Sequence, residues 1–83
     1  MQEGVEKKLA YYGKRDFLIA VRKKTGKSQQ LVAALSDISQ SSYSQIEQGF
    51  YNPPPEVVGR VTKVLGITPE DFYSHDQARM SRR

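Results

Sequence analysis

Apolar residues fall in short clusters spaced as single helix faces, and Gly, Ser and Pro punctuate them. Phe17, Leu18, Val21 and the stem of Arg22 share one side of a helix predicted over Arg15–Thr25, with lysines opposite. Gly26 stops it, and Ser28 is placed to cap a second helix, Gln29–Ser36, whose inner side is Val32, Ala33 and the Leu35/Ser36 region. After a very short connection at Asp37 and Ile38, Ser39 caps a third helix, Gln40–Gln48, which Gly49 ends. The stretch Phe50-Tyr51-Asn52-Pro53-Pro54 cannot be helical, because successive prolines hold their predecessors extended. Pro55 suits the first turn of a fourth helix, Pro55–Leu65, with Val57 or Val58, Val61, Val64 and Leu65 as its buried stripe. Thr68-Pro69-Glu70-Asp71 starts a short fifth helix anchored by Phe72. No strand-like alternation and no internal repeat is present.

The flanks are poorer in apolar residues. Residues 1–13 read as a flexible arm or a frayed turn around Val5, Leu9 and Tyr12, and residues 75–83 as a basic tail, leaving one domain over 14–74. The chain has 83 residues, no cysteine and one histidine, so a disulfide framework, a zinc ribbon, a thiol nucleophile and a protein-held transition metal all drop out. A core this small without staples implies tightly packed helices. The longest apolar run, Phe17–Val21, is too short for a membrane span or a signal-peptide core, so the expectation is a cytoplasmic protein with no membrane partner.

Charge sharpens this picture. The formal net charge is +4, which fits a polyanion partner without demanding one. Lys14, Arg15, Arg22, Lys23, Lys24 and Lys27 face only Asp16 over residues 14–27, whereas residues 28–49 carry only Asp37 and Glu47. By itself the basic block reads equally as a solvated lysine face. The uncharged stretch says more. On the third helix Tyr43 and Ile46 lie on one side, and Gln40, Ser41, Ser44, Gln45 and Gln48 occupy the other. A helix facing only solvent more often carries Lys/Glu pairs. Short amides and hydroxyls offer donors and acceptors without bulk, as readers of base edges need.

The sharp corner between the second and third helices is the helix-turn-helix arrangement, in which the second member lies in the DNA major groove. Leu18, Val21-Arg22, Gly26, Ser28-Gln29, Val32-Ala33, Ile38-Ser39, Tyr43 through Gly49, Asn52-Pro53, Val61 and Leu65-Gly66-Ile67 stand in one register over more than half of the chain. In this the chain resembles the lambda-repressor-like, or Cro/repressor, helix-turn-helix family. The resemblance implies an all-α, compact five-helix domain and double-stranded DNA as partner.

Gln40, Ser41, Ser44 and Gln45 are then the expected base readers. Lys27, Ser28, Gln29, Gln48, Tyr51 and Asn52 are the expected phosphate contacts, Gln29 through the family's use of that position and Ser28 through the helix N-terminus it opens. Lys27 departs from the family, which usually has an apolar residue there; its stem can cover the core while its ammonium faces phosphate. Lys7, Lys8, Lys14 and Arg15 read either as a basic arm or as solvated cations. The resemblance further implies a structural ion pair between Arg22 and Glu47 and a homodimer built on the fifth helix around Phe72 and Tyr73. No cofactor, metal or catalytic residue is expected: Ser74, His75 and Asp76 are adjacent, and their side chains diverge along the chain. The leading expectation is a sequence-specific transcriptional regulator, a repressor acting as a homodimer on a two-fold operator. The alternative is an antitoxin or interaction module of the same fold, with Phe50, Tyr51 and the prolines facing a partner protein.

Overall fold

The computed structural model describes residues 13–81, and in them five α-helices and no strand. The expected frayed turn at Val5, Leu9 and Tyr12, and Lys7 and Lys8 of the basic arm, lie outside the described residues. The helices are α1 (Asp16–Lys24), α2 (Gln29–Leu35), α3 (Gln40–Gln48), α4 (Pro55–Leu65) and α5 (Pro69–Ser81). α2 packs on both α3 and α4, α1 packs on α3, and α5 packs on α4.

Local chemistry fixes most of these boundaries. The Ser28 and Ser39 hydroxyls accept from the N–H groups of Leu31 and Ser42, each at 3.0 Å, as N-caps should. α5 opens with a reciprocal box: Thr68 Oγ1 accepts from Asp71 N–H at 3.0 Å, and Asp71 Oδ2 accepts from Thr68 N–H at 3.1 Å. At their C-terminal ends α1 to α4 share one device. The residue that follows a left-handed one donates back into the last turn, as in Lys27 to Arg22, Ile38 to Ala33, Phe50 to Gln45 and Ile67 to Thr62.

That device needs a left-handed residue, and α2 alone supplies it without glycine: Asp37 has φ 61°. Aspartate tolerates this region better than most residues, yet it carries a Cβ penalty that glycine does not. Replacing Asp37 with Gly is therefore expected to raise stability by about 0.5–1 kcal/mol, despite the looser unfolded chain. Urea melts would show the midpoint rising at unchanged slope.

The core is Leu18, Val32, Ala33, Tyr43, Ile46, Val57, Val58, Val61, Leu65 and Phe72, so both valines at 57 and 58 point inward. Fully burying each large apolar side chain contributes ~1.5–3 kcal/mol. Three expectations are corrected. Leu35 does not join the core: it is 56% exposed on the same outer stripe as Leu31, while Ser36, one helical turn after Val32, is buried. The fifth helix is not short: it has 13 residues and runs through much of the expected tail. Nothing between Pro69 and Ser81 breaks a helix, and two of its side chains find partners on the α1 side. The His75 ring stacks on Phe17 with centroids 3.6 Å apart, and Asp76 pairs with Arg15. Arg15, read as part of an arm or as a solvated cation, is neither, being only 3% exposed.

Candidate nucleic-acid interface

α3 is held by its inner face. Tyr43 and Ile46 are fully buried, and Glu47 is only 1% exposed although it is a carboxylate. The opposite face is open: Gln40, Ser41 and Gln45 are exposed, and Ser44 and Gln48 half-buried. Gln40, Ser41, Ser44 and Gln45 hydrogen-bond to no other described side chain, so their amides and hydroxyls face outward unspent. Ser42, beside them, is engaged: its hydroxyl accepts from Ser39 at 3.0 Å within the cap.

Glu47 is the junction of three helices. Arg22 of α1 donates through Nε to Oε2 at 2.5 Å and through Nη2 to Oε1 at 3.2 Å, a two-pronged contact. Gln29, the first residue of α2, donates its Nε2 to Oε1 at 2.8 Å. The Arg22 Nη1 also reaches the Lys27 carbonyl at 3.1 Å, tying the α1–α2 turn to the same point. Burial pushes the Glu47 carboxyl up, but the hydrogen bonds from Arg22 and Gln29, with the nearby Tyr43 hydroxyl and the Arg22 charge, outweigh it and hold the group below the usual glutamate range. The hydrogen bond to Glu47 raises Arg22 further above its already high value. The Tyr43 hydroxyl makes no well-aligned hydrogen bond. Burial first, and the nearby carboxylate second, keep it protonated far above the ordinary tyrosine value.

Around this rigid helix the expected phosphate contacts form two groups. Lys27, Ser28 and Gln29 cluster at the N-terminus of α2, with Lys27 and Gln29 half-buried and Ser28 exposed. Gln48, Tyr51 and Asn52 lie at and beyond the C-terminal end of α3. Several of these are already engaged inside the domain. Gln29 holds Glu47, and the Asn52 Oδ1 accepts from Arg15 at 2.8 Å, leaving the Asn52 amide nitrogen to donate elsewhere. On α5, Phe72 is buried at 4% exposure as core, and Tyr73, at 45%, is the exposed aromatic. Their rings meet edge-on with centroids 5.6 Å apart.

A short helix capped at a tight corner with the helix before it, clamped by its inner face and presenting amides and hydroxyls outward, is the arrangement of the second helix in a helix-turn-helix pair. A family model described as helix-turn-helix matches residues 18–72, and the chain belongs to that family of DNA-binding transcription regulators. The fold also matches the crystal structure of the clp gene regulator ClgR from Corynebacterium glutamicum, with a TM-score of 0.69 and 23% sequence identity, covering 77% of this chain and 68% of that one. No curated protein matches the sequence significantly. Among the described residues no helix is long and apolar enough to cross a membrane.

Proposed function

We propose that this chain is a sequence-specific, cytoplasmic transcriptional repressor that binds a two-fold operator as a homodimer, one α3 in the major groove of each half-site. The observation that carries this reading is the outward face of α3: Gln40, Ser41, Ser44 and Gln45, whose side chains make no hydrogen bond among the described residues, on a helix that Glu47 fixes from behind. Those four read bases. Lys27, Ser28, Gln29, Gln48, Tyr51 and Asn52 flank them and meet the backbone, through side chains or through the N–H groups opening α2. Tyr73 on α5 is the aromatic available to a second copy. The regulator ClgR, whose fold is similar, agrees with a regulatory role.

The chemistry of the face limits what it reads. A glutamine amide donates to and accepts from adenine's N6/N7 edge, whereas guanine's O6/N7 edge calls for two donors, best supplied by Arg or Lys. No Arg or Lys occurs between Gln29 and Val58. The half-site is expected to favour A·T pairs opposite Gln40 and Gln45.

The test is selection of bound duplexes from a random pool, followed by competition binding to single-base variants of the winner. Affinity should fall with salt, each neutralised phosphate adding about −0.9 to the slope of log K against log salt. Replacing Gln45 with Ala should cost ~1–3 kcal/mol on the best site and relax preference at one base position. Replacing Lys27 with Ala should weaken all sequences alike and flatten the salt slope. If the two variants exchange behaviours, α3 is not the reader. A second reading, an antitoxin or other protein-interaction module of the same fold, has one observation in its favour: Phe50 is 54% exposed beside the proline loop. Failure to select any duplex at low salt would turn the assignment to it.

A further inference from the structure

Arg15 immediately precedes α1 and, among the described residues, is the one arginine whose guanidinium is almost wholly removed from water, at 3% exposure. A buried charge is costly unless it is paired and its remaining donors are satisfied. Here every guanidinium N–H has an acceptor. Nε donates to Asp76 Oδ1 at 2.9 Å, Nη1 to the carbonyls of Ile46 at 2.7 Å and Tyr51 at 3.1 Å, and Nη2 to Asn52 Oδ1 and Asp76 Oδ2, both at 2.8 Å. The guanidinium carbon also lies 5.0 Å from the centre of the Phe72 ring. The Arg15 backbone N–H donates to the Glu47 carbonyl at 2.8 Å, beside the carbonyl its side chain holds.

These acceptors belong to three separate places: the C-terminal end of α3, the loop after it, and α5. A lysine has three donors and no planar fork, so it could not span them. Asp76 supplies the opposing carboxylate, and it is the only one of the four acceptor residues on α5. Arg15 therefore joins the helix that faces DNA to the helix that carries Tyr73.

We propose that Arg15 is a positioning residue that couples α5 to the C-terminal end of α3, so that where α5 sits sets the pose of α3. The consequence for recognition rests on the DNA reading above; the coupling itself does not. A ligand or second copy that moves α5 would change base discrimination by pulling on Asp76, without touching the reading face.

The test cuts the tie at its α5 end, because removing Arg15 strands the Ile46 and Tyr51 carbonyls and can unfold the domain. In the full 83-residue chain, Asp76→Ala is compared with wild type and with Val61→Ala, a core variant on α4 that lowers global stability. Amide hydrogen exchange is read first. In Asp76→Ala the amides of Arg15, Gly49 and Phe50 should exchange roughly tenfold faster while those of Val61 and Leu65 change far less; Val61→Ala should instead speed all of them together. Competition binding is read second: Asp76→Ala should lose roughly tenfold in the ratio of selected-site to random-DNA affinity, and Val61→Ala should keep that ratio. Uniform exchange changes in Asp76→Ala overturn the coupling and leave the DNA reading standing. Wild-type chain that binds no duplex, with the local exchange pattern present, overturns the DNA reading and supports the coupling. An unchanged affinity ratio with local exchange present overturns the claim that the coupling reaches recognition.

Discussion

Arg22→Ala is expected to cost the fold about 3–5 kcal/mol at neutral pH, because it strands the Glu47 carboxylate where water barely reaches. Glu47→Ala should cost less. The Arg22 side chain is 12% exposed against 1% for Glu47, so a guanidinium that loses its partner can turn toward water. The double variant should lose clearly less than the sum, since the second change removes a charge the first left unpaired. Additive losses would mean that the 2.5 Å contact between Nε and Oε2 does not exist in solution. DNA affinity should fall with stability in both single variants, because Glu47 is what Arg22 and Gln29 hold α3 by.

The pair also sets a pH signature. In the wild type the folded Glu47 titrates below its unfolded value, so its contribution is complete above about pH 4.3–4.5 and is lost as pH falls toward the folded value. Between pH 5 and 7 this group adds no slope. In Arg22→Ala the sign reverses. Burial then raises the folded carboxyl above its unfolded value, and the group is tolerated best when protonated. The variant should gain stability as pH drops from 7 to 5, narrowing its deficit against wild type. Urea melts at several pH values check this, and a constant deficit would show that Glu47 is resolvated once Arg22 is gone.

How far this could be read from the amino acids depends on where each residue's partners lie. α1 to α4 were legible to within a residue at each end because their signals are local: a serine before each of α2 and α3, glycine after three of the four, proline opening the fourth. The division of α3 into Tyr43 and Ile46 inside and Gln and Ser outside followed from the helical period alone. Leu35 misled because hydrophobicity ranks it above Ser36, whereas the period set by Val32 puts Ser36 inside. α5 misled for the opposite reason. Beyond Phe72 it has almost no apolar stripe, and it is held instead by a histidine stacked on Phe17 and an aspartate bound to Arg15. Nothing in the sequence announces Arg15, whose acceptors stand at 46, 51, 52 and 76. The pairing of Arg22 with Glu47 came from the family resemblance, and the Gln29 hydrogen bond to the same carboxylate from neither source.

Gly49→Ala is expected to destabilise the domain by ~2–5 kcal/mol, and Gly66→Ala by only ~1–2, although both glycines end a helix with nearly the same backbone. Their φ angles are 86° and 77°, so the left-handed penalty for a Cβ is common to both. What differs is the space around them. A Cβ on Gly66 would meet nothing within 4 Å, whereas one on Gly49 would collide with the backbone carbonyl of Gly13. That carbonyl has no flexible side chain to yield, so the chain entering α1 would have to move. It is the same chain that, two residues on, donates the Arg15 N–H to the Glu47 carbonyl and drives the Arg15 guanidinium under the end of α3. The clash should therefore loosen the C-terminal end of α3 as well as lower stability. Relative to Gly66→Ala, Gly49→Ala should show a larger fall in urea midpoint and faster amide exchange at Arg15 and Phe50. Equal losses in the two variants would mean that the approach of Gly13 to Gly49 is open enough in solution to admit a methyl group, and that the entry to α1 does not brace α3.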